Sequence, residues 1–312
     1  SNVLGKPMKE PQDVPFEKEG QYLKSDNRSN ISYFLEHNVL LRRFTLSVGV
    51  LANYNSALNE GIHFYPGIDA SYRIGDNFRL YGSWNRALRM PTFTDLYYEG
   101  KTNKGNPDLK PEESEAFEVG LKYNTYFLRA HIAGFYRKGK NMIDWVKEKP
   151  EDIWESQNLT KVDNLGFETN LSLLPRELGN ERFFIRKIEL GYAFIHQDKD
   201  SEGYISNYAL DYLKHKFTAQ LSHSIWKGFS ATWYVRWQDR AGSYTKYENL
   251  KPAYEEPYAP YCLVDMKVNW EYQRLNLYAE LNNLLNSTYY DLGNIPQPGI
   301  WFKAGFRYSF KY

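Results

Sequence analysis

The sequence is short of three things: cysteine, long hydrophobic runs and a charge excess of either sign. Its 312 residues include one cysteine, Cys262, which excludes a disulfide framework and a zinc site built from cysteine pairs. Lys and Arg together number 39 and Asp and Glu 38, so no basic surface points to a nucleic-acid partner. No stretch reaches the roughly 20 apolar residues of a membrane-spanning helix. Helical spans and nucleic-acid binding are therefore not expected, and Cys262 is expected to be an apolar filler on a strand.

Residue patterns for catalysis or metal binding are missing as well. No pair of histidines has the i, i+4 spacing of a zinc helix, and no Gly-rich phosphate loop, nucleophile elbow or Cys–His pair is present. A carboxylate pair for acid–base chemistry cannot be selected without geometry. We therefore expect no enzyme, no metal site and no cofactor. The histidines considered are His37, His63, His131, His196, His215 and His223.

Aromatic residues are abundant, and many segments alternate with a strict period of two. Aromatics make up 17% of the chain, although the mean hydropathy is only −0.66. Over residues 302–312 every even position is aromatic or alanine, whereas Lys303, Arg307 and Lys311 occupy odd positions. Such alternation gives a strand one apolar and one polar face. A barrel strand between lipid and a polar lumen has this pattern at low mean hydropathy.

About thirteen segments alternate in this way, from near Ser29 to Tyr312. Many reach the roughly 9 to 11 residues that a tilted membrane strand requires. Their connections are alternately short and long. Tight turns are predicted at 41–43, 75–77, 124–126, 226–228 and 272–274, and long loops at 89–111, 149–155, 199–207, 242–257 and 287–298. The sequence therefore predicts an all-β fold, an antiparallel transmembrane β-barrel with short periplasmic turns and long extracellular loops.

Two other all-β folds fit less well, and the strand number adds a further expectation. A soluble β-sandwich has shorter strands, and a propeller needs a repeat of roughly 40 residues that is not seen. Single-chain bacterial barrels close with an even number of strands. We therefore expect residues 1–28 to be an extracellular loop at an N-terminal boundary, and 29–312 to be the C-terminal part of a larger barrel. No signal peptide is visible, which agrees with such a boundary.

One connection, RALRMPTFTDLYYEGKTNKGNPDLKPE at residues 86–112, is rich in turn residues. Its three prolines fix φ and bias the preceding residues toward extended backbone, and Gly105-Asn106 supplies a turn at low steric cost. We therefore predict a fixed loop, in which basic residues pair with nearby acidic ones. The basic residues are Arg86, Arg89 and Lys110, and the acidic ones are Asp95, Asp108, Glu112, Glu113 and Glu115.

This stretch and the strand after it resemble the signature of the TonB-dependent outer-membrane receptors, which are large barrels that import scarce ligands. In that family an Arg-x-Pro-like turn is followed by Phe/Leu-x-Glu/Asp-Leu-Tyr and then by Gly-Asn-Pro-x-Leu-x-Pro-Glu. The spacing is intact here, and we expect this segment to brace the loop against the barrel wall, with direct ligand contact as the alternative. The matching residues are Arg89, Pro91, Phe93, Asp95, Leu96, Tyr97, Gly105, Asn106, Pro107, Leu109, Pro111, Glu112, Ser114, Glu118 and Gly120.

The end of the chain, LYAELNNLLNSTYYDLGNIPQPGIWFKAGFRYSF, resembles the family's closing pair of strands. It contains a Leu-x-Asn-Leu-x-Asn-x-x-Tyr corner at residues 281–289. Tyr312 stands where the assembly signal of such barrels usually has Phe or Trp. The resemblance implies a C-terminal assembly strand that presents Phe306, Tyr308, Phe310 and Tyr312 to the barrel assembly machinery.

The family resemblance, which is strongest to the cobalamin-receptor branch, also implies a function and partners. It implies a Gram-negative outer-membrane location and a whole barrel of roughly 22 strands. It further implies active import of cobalamin, a ferric siderophore or a similar chelate, energised by TonB. The plug domain and the TonB-contacting segment of such receptors are absent from this sequence, so TonB contact would come through an N-terminal region. Outer-membrane lipid and lipopolysaccharide are the other expected partners. A passive porin or a surface adhesin is the alternative, because a polar lumen serves either.

Aromatic residues in the long loops are the ligand-contact candidates. A tyrosine presents a flat apolar face and one hydrogen-bonding tip, which suits a ligand at the mouth of a barrel. Aromatic girdles at the membrane interface are the alternative explanation for such residues. The candidates are Tyr97, Tyr98, Trp154, Tyr204, Tyr244, Tyr247, Tyr254 and Tyr258.

Overall fold

A computed structural model describes most of the chain. The described ranges are 2–5, 24–56, 61–100, 102–149, 151–179, 182–200, 203–206, 212–248, 251–293 and 295–310. Within these ranges, neither of the short helices is long and apolar enough to cross a membrane. Tyr312, predicted to belong to the assembly strand, lies outside the described residues.

Strands dominate the structure. In chain order they are β1 Asn2–Gly5, β2 Lys24–Asn27, β3 Asn30–Leu40, β4 Phe44–Asn55, β5 Ile62–Ile74, β6 Phe78–Arg89, β7 Asn103–Lys104, β8 Glu112–Asn124, β9 Leu128–Lys147, β10 Trp154–Leu173, β11 Ile185–Asp200, β12 Ile205–Ser206, β13 Leu213–Trp226, β14 Phe229–Arg240, β15 Ser243–Glu248, β16 Lys251–Pro257, β17 Tyr261–Tyr272, β18 Leu275–Asn282, β19 Tyr290–Leu292, β20 Ile295–Pro296 and β21 Trp301–Tyr308. The helices are α1 Phe93–Tyr97 and a 3-10 turn at Pro175–Leu178.

Thirteen of these strands form one continuous antiparallel sheet. Its order is β3, β4, β5, β6, β8, β9, β10, β11, β13, β14, β17, β18 and β21, which is also chain order. This confirms the predicted all-β antiparallel barrel wall and its strand number. Strands β3 and β21 are the two edges, and the described residues contain no pairing between them. Each edge therefore offers unpaired backbone groups to further strands.

The two ends of the sheet differ in their connections. Short turns join strands at 41–43, 75–77, 125–127, 227–228 and 273–274, and we call this end the turn rim. Connections 56–61, 90–111, 148–153, 201–212, 241–260 and 283–300 lie at the opposite end, the loop rim. Connection 174–184 is the exception, since it is long, contains the 3-10 turn and lies on the turn rim.

The strands at the centre of the sheet are longer than the sequence pattern predicts. Both β9 and β10 contain 20 residues. In the sequence, apolar and polar residues alternate clearly only over 128–137 and 166–173 of these strands. At about 3.3 Å per residue, such strands exceed the hydrocarbon thickness and extend past it at the loop rim. Above the membrane neither face of a strand meets lipid, so the alternation of apolar and polar residues is no longer required.

The two faces of the sheet have the predicted chemistry. Across β18 and β21, Leu277 lies opposite Phe306 and Leu281 opposite Phe302, so apolar side chains share one face. The other face carries a charge ladder, in which Glu280 is 2.8 Å from the Lys267 ammonium and 2.5 Å from that of Lys303. This pattern is typical of a lipid-facing exterior and a polar lumen. Of the predicted assembly residues, Phe306 is exposed on the apolar face, and the Tyr308 ring packs edge-on against Phe310.

Asn283 holds the corner between the last two sheet strands. Its backbone N–H donates to Asp265 Oδ1 at 2.7 Å, and its Oδ1 accepts from the Ser287 N–H at 2.9 Å. Its Nδ2 donates to the carbonyls of Ser287 and Pro298 at 2.9 and 3.2 Å. The side chain is buried and the backbone φ is 51°, a conformation that asparagine tolerates better than most residues. The 281–289 corner motif is thus explained by one side chain that satisfies three backbone groups.

We predict that Asn283→Ala destabilises the closing corner by about 3 kcal/mol, because it removes three hydrogen bonds and leaves buried backbone groups unpaired. Asn276→Ala is the matched control, since the Asn276 side chain makes one contact, to Glu271 at 3.1 Å. The measurement is the temperature at which the folded band disappears on a heat-modifiability gel. Equal shifts for the two variants would contradict the role given to Asn283.

Candidate functional site

The connection 90–111 is ordered by a short helix at its start. Thr92 and Asp95 cap α1 reciprocally: the Asp95 N–H donates to Thr92 Oγ1 at 3.1 Å, and the Thr92 N–H donates to Asp95 Oδ2 at 3.0 Å. This capping box satisfies donors that a helix end leaves unpaired. Asp95 is therefore used for capping and not for the predicted ion pair.

The Gly105-Asn106 turn returns the connection to the helix. The Gly105 N–H donates to the Tyr98 carbonyl at 2.6 Å, and the Asn106 N–H donates to the Asp95 carbonyl at 2.8 Å. A Cβ at Gly105 would lie 2.8 Å from the Leu96 carbonyl carbon and the Tyr97 nitrogen, which are backbone atoms that cannot move aside. Glycine is therefore required here by close backbone approach.

Glu112 anchors the connection to the sheet. Its buried carboxylate accepts two hydrogen bonds from Arg89, from Nε and Nη2, both at 2.5 Å, and a third from the Ile143 N–H at 2.8 Å. This fork geometry is the strong form of an Arg–carboxylate pair. Arg86 and Glu113 also pair, but at 3.6 Å and with both side chains nearly half exposed. Arg89 and Glu112 thus join the two strand ends that flank the connection.

Asn158 on β10 is a second anchor, which the sequence pattern did not reveal. Its Oδ1 accepts from the Lys110 N–H at 2.8 Å, and its Nδ2 donates to the Lys110 carbonyl at 2.9 Å. The same Nδ2 donates to the carbonyl of Asn141 at 2.6 Å. Asn158 thus joins the end of the connection to the β9–β10 hairpin, and in sequence it is one of several polar residues in a row, Glu155-Ser156-Gln157-Asn158, which gives no sign of its role.

Two further contacts tie the connection to its neighbours. Arg28 donates from Nη1 to the Pro91 carbonyl at 2.8 Å, and its guanidinium lies 4.6 Å from the centre of the Phe93 ring. On the other side, β7 pairs in parallel with the start of β10, where Asn103 lies opposite Trp154. The connection is therefore fixed at several points along its length.

Most of the other signature residues lie in the connection itself, and Glu118 lies on the strand that follows it. Pro91 and Leu96 are buried beneath the loop, whereas Asn106 accepts from the Asp108 N–H at 2.9 Å and starts the Pro107 turn. Glu118 lies on β8, where its carboxylate accepts from the Tyr81 hydroxyl at 2.8 Å. Tyr97, Leu109 and Pro111 are partly exposed.

A buried ion pair joins the long central strands at the loop rim. Asp144 on β9 is 1% exposed and lies 3.5 Å from the ammonium of Lys199 on β11, which is 3% exposed. Asp144 also accepts from the Trp145 N–H at 2.7 Å and from the Ser206 hydroxyl on β12. Burial lowers the pKa of Lys199, and the charge of Asp144 opposes that shift. Asp144 thus connects β9 with both β11 and β12.

Three tyrosines join the last two long connections. The Tyr244 ring centre lies 5.1 Å from that of Tyr258 and 5.2 Å from that of Tyr290. The Tyr258 hydroxyl accepts from the Gly293 N–H at 3.1 Å. Because Tyr244 and Tyr258 are buried in this contact, they hold connection 241–260 against connection 283–300.

An ion pair on the β15–β16 hairpin supports this tyrosine cluster. Glu256 accepts from the Lys246 ammonium at 2.6 Å and from the Tyr244 hydroxyl at 3.1 Å. The Lys246 hydrogen bond holds the pKa of Glu256 below its ordinary value, and the pKa of Lys246 is raised in turn. The packing of Tyr244 therefore depends on the protonation state of Glu256, which accepts hydrogen bonds from both Lys246 and Tyr244.

The other ligand-contact candidates differ in accessibility. Tyr98 and Tyr254 are exposed on the loop rim. Trp154 lies under the Lys147 ammonium at 4.5 Å, and Tyr204 lines a cavity of about 250 Å³ with Val146 and Gln157. Tyr97 stacks on Phe93 at 6.3 Å and lines a second cavity of about 310 Å³ inside the braced connection. Tyr247 belongs to β15, but its side chain lies outside the described part of the chain.

The described residues include no group of three or more His, Cys, Asp or Glu arranged to hold a metal ion. What the loop rim does contain is a set of braced connections that present a few aromatic faces above a polar lumen. Such an arrangement is suited to binding a ligand at the mouth of a barrel.

Sequence comparison identifies the family. The profile of the family described as TonB dependent receptor-like, beta-barrel matches residues 8–284. The chain belongs to this family. The TonB-dependent receptors are proteins of the Gram-negative outer membrane, and the thirteen-strand sheet is therefore a barrel wall in that membrane.

Curated relatives and solved structures agree with this assignment. The vitamin B12 transporter BtuB of Vibrio vulnificus is 26% identical over 225 residues, which cover 54% of this chain and 36% of that protein. The ferrienterobactin receptor of Escherichia coli is 22% identical, covering 86% and 38%. A mutant of the ferric enterobactin receptor PfeA from Pseudomonas aeruginosa superimposes with a TM-score of 0.73 at 18% identity, covering 99% and 49%. The chain spans about a third of the length of the curated relatives it matches.

We predict that Glu112→Gln loosens connection 90–111 by about 2 kcal/mol, because the amide cannot accept both Arg89 hydrogen bonds. Tryptic cleavage at Lys104 should then accelerate roughly 30-fold, since every 1.4 kcal/mol is a factor of ten. Glu113→Gln is the control, as its exposed 3.6 Å pair with Arg86 contributes little. Unchanged cleavage of the Glu112 variant would show that the pair does not brace the loop.

We predict that acid loosens the tyrosine cluster. The pKa of Glu256 is depressed from 4.5 in the folded protein, so its stabilisation is present above pH 4.5 and is lost as pH falls through the lowered pKa. Hydrogen exchange of residues 243–257 should therefore increase in acid, whereas that of connection 90–111 should change less. Glu256→Gln should already exchange faster at neutral pH and respond less to acid. An acid response of the same size in that variant would assign the effect to another group.

Proposed function

We propose that this chain forms the C-terminal part of an outer-membrane receptor that imports a scarce chelate with energy from TonB. The observation that carries the proposal is the braced 90–111 connection on an antiparallel barrel wall with a polar lumen. A loop held by Glu112 and Asn158 keeps its shape above an open mouth, which suits capture of a dilute ligand better than passive flow. The proposal includes no enzymatic step.

The names of the relatives support the ligand class. One matching protein is a vitamin B12 transporter, and others are ferrienterobactin and ferripyoverdine receptors. A solved neighbour is a ferric enterobactin receptor mutant in complex with enterobactin, at 20% identity and a TM-score of 0.71. We therefore propose cobalamin, a ferric siderophore or a similar chelate as the ligand.

The proposed division of the chain follows from the sheet edges. Residues 29–312 would be barrel wall, and residues 1–28 an extracellular loop, in which β1 pairs antiparallel with β2. Strands β3 and β21 would pair with the remaining strands of the receptor, because an open edge is unfavourable in lipid. A plug domain and a TonB-contacting segment would come from the rest of the receptor. Lipid, lipopolysaccharide and the barrel assembly machinery complete the proposed partners.

We further propose two roles for the loop aromatics. Exposed Tyr98 and Tyr254 would contact the ligand directly, since part of each ring faces solvent, although one side of the Tyr98 ring meets Trp145 edge-on at 6.3 Å. Tyr244 and Tyr258, which are buried between two connections, would act by holding those loops in place. Tyr97, Trp154, Tyr204 and Tyr247 remain proposed contacts of the same mouth.

The proposal is tested by uptake into cells that express the full-length protein. Labelled cyanocobalamin and ferric enterobactin are the probes, and we expect saturable uptake of one of them that a protonophore abolishes. Tyr254→Ala should weaken binding of that probe about tenfold, or about 1.4 kcal/mol. Tyr272→Ala, an equally exposed tyrosine on the turn rim, should leave binding unchanged.

Two outcomes would contradict the proposal, and they are distinguishable. Uptake that persists in de-energised cells would indicate a passive pore. Energised uptake with full affinity in the Tyr254 variant would retain the receptor but reject this residue as a ligand contact.

A further inference from the structure

A row of aromatic rings crosses the exterior face of the central strands. Trp84 lies opposite Phe117, and Phe117 lies opposite Tyr136, across β6, β8 and β9. The Trp84 and Phe117 ring centres are 6.5 Å apart. Toward the turn rim the same face is apolar, and Val119 and Ile132 are 59% and 51% exposed there. An aromatic row above an apolar band marks the interface between hydrocarbon and headgroups.

The polar tips of these rings point away from the apolar band. The Trp84 Nε1–H donates to Glu115 Oε1 at 2.9 Å, and the Tyr136 hydroxyl donates to Asp163 Oδ2 at 2.8 Å. Glu115 and Asp163 each lie two residues nearer the loop rim than the aromatic row, on the same face. A ring with its body in an apolar layer and its tip on a polar group is typical of the membrane interface. The polar layer therefore begins directly beyond this row.

Three lysines lie on this face beyond the aromatic row. Lys138 and Lys140 follow Tyr136 by two and four residues on β9, so their side chains share its face. Lys161 on β10 is the register partner of Lys140 and therefore shares the face as well. Along the strand, Lys138 is about 7 Å and Lys140 about 13 Å beyond Tyr136. Because the strands are tilted, the heights above the row are smaller, and the lysines lie among the lipid headgroups.

The lysines are accessible from the exterior. Lys140 is exposed, and the Lys161 side chain is 53% exposed. Asp163 lies 3.3 Å from the Lys161 ammonium, and Glu113, the other register partner of Lys140, pairs with Arg86 at 3.6 Å. Lys140 and Lys161 are directly opposite each other, and like charges in that position destabilise a sheet. An anion bound between them would offset this repulsion.

Acidic residues in the same rows leave the lysines able to bind an anion. Glu115 lies opposite Lys138, and Asp200, whose side chain lies outside the described part of the chain, lies opposite Lys161. Exposed pairs of this kind are weak, and each ammonium has three donors. A lysine can therefore keep a carboxylate neighbour and also donate to a phosphate oxygen.

We propose that Lys138, Lys140 and Lys161 bind the phosphate groups of lipid A, the membrane anchor of lipopolysaccharide, in the outer leaflet of the outer membrane. Lipid A is the anionic lipid of that leaflet, and lysines near an anionic surface are attracted to it. Their long stems let the ammonium groups adjust in height. The proposal rests on the orientation of the barrel, with the loop rim extracellular, and not on the identity of the imported ligand.

The strands that carry these lysines continue into the loop rim. Beyond Lys140, β9 pairs with β12 at Val146, and β10 pairs with β7 at Trp154. A phosphate bound across Lys140 and Lys161 joins β9 to β10 at the base of this extension. Lipid binding on the outside of the wall thereby steadies the central loops, at a site separate from the ligand-binding mouth.

The test is binding of lipid A to the full-length protein. The protein is purified from outer membranes, exchanged extensively in detergent and titrated with bisphosphorylated lipid A or with lipid A that lacks both phosphates. Native mass spectrometry counts the bound lipid. Wild-type protein should prefer the phosphorylated form about a hundredfold, since each lysine near an anionic surface contributes about fivefold. Lys138→Gln/Lys140→Gln/Lys161→Gln should lose most of that preference.

The matched control is Arg42→Gln/Arg43→Gln/Lys227→Gln, which removes three positive charges from exposed turns at the turn rim. It should keep the wild-type preference. Replacement of the three proposed lysines by arginine keeps their charge and should keep the preference too. Lys140→Gln changes one exposed side chain, covers the case in which the triple glutamine variant fails to fold, and should lose about fivefold. A folded band on a heat-modifiability gel confirms assembly of each variant.

Several results would overturn the proposal. Equal affinity for the two forms of lipid A would show that phosphate is not recognised, and an equal loss in the turn-rim control would reduce the effect to net charge. Equally tight binding of phosphatidylglycerol would make the site one for any anionic lipid. Displacement of lipid A by millimolar inorganic phosphate would identify a free phosphate site, whereas its persistence would support the proposal. An unchanged preference in the folded glutamine variants would exclude the site.

Discussion

The structure depends on one constraint: in hydrocarbon every backbone N–H and C=O must find a partner within the protein. The thirteen-strand antiparallel ladder meets it for all strands except the outer edges of β3 and β21. Because the backbone groups are satisfied by neighbours, side chains are left to match lipid on one face and the lumen on the other. The low mean hydropathy, the absence of apolar runs and the alternation of residues all follow from this division.

Above the membrane this constraint no longer applies, and hydrogen bonds from side chains order the backbone of the connections. Glu112, Asn158, Asp144 and Asn283 each accept or donate several bonds that hold a connection in place. Each of these groups is buried or half-buried, and a buried polar group must be fully paired to be stabilising. The loop rim therefore combines small polar networks with a few buried apolar side chains, among them Leu96, Val146 and Tyr244.

This change explains what the sequence could and could not predict. Lipid on one face imposes period-two alternation, so the sequence pattern predicts β14, β17 and β21. It does not predict the part of β10 over residues 154–165, because that part lies above the lipid. The 90–111 signature predicted a fixed loop and the Arg89–Glu112 pair. It could not predict Asn158, because a partner 48 residues away along the chain leaves no local pattern. Composition also cannot predict that Tyr254 is exposed and Tyr244 buried. Tyr244 is buried by its contact with Tyr290 in connection 283–300, which the sequence does not reveal.

The two rims also differ in how their cationic side chains are held. At the loop rim, carboxylates lie beside cations: Glu112 pairs with Arg89 across the β6–β8 ladder, and Glu256 pairs with Lys246 across the β15–β16 hairpin of a long connection. At the turn rim, connection 174–184 and the start of β11 bring two arginines, Arg176 and Arg186, to one serine and no described acidic side chain to either. Within the described part of the chain, these two guanidinium groups are held by Ser224 Oγ and the Phe183 carbonyl, so neutral oxygens hold them where carboxylates hold Arg89 and Lys246 at the loop rim.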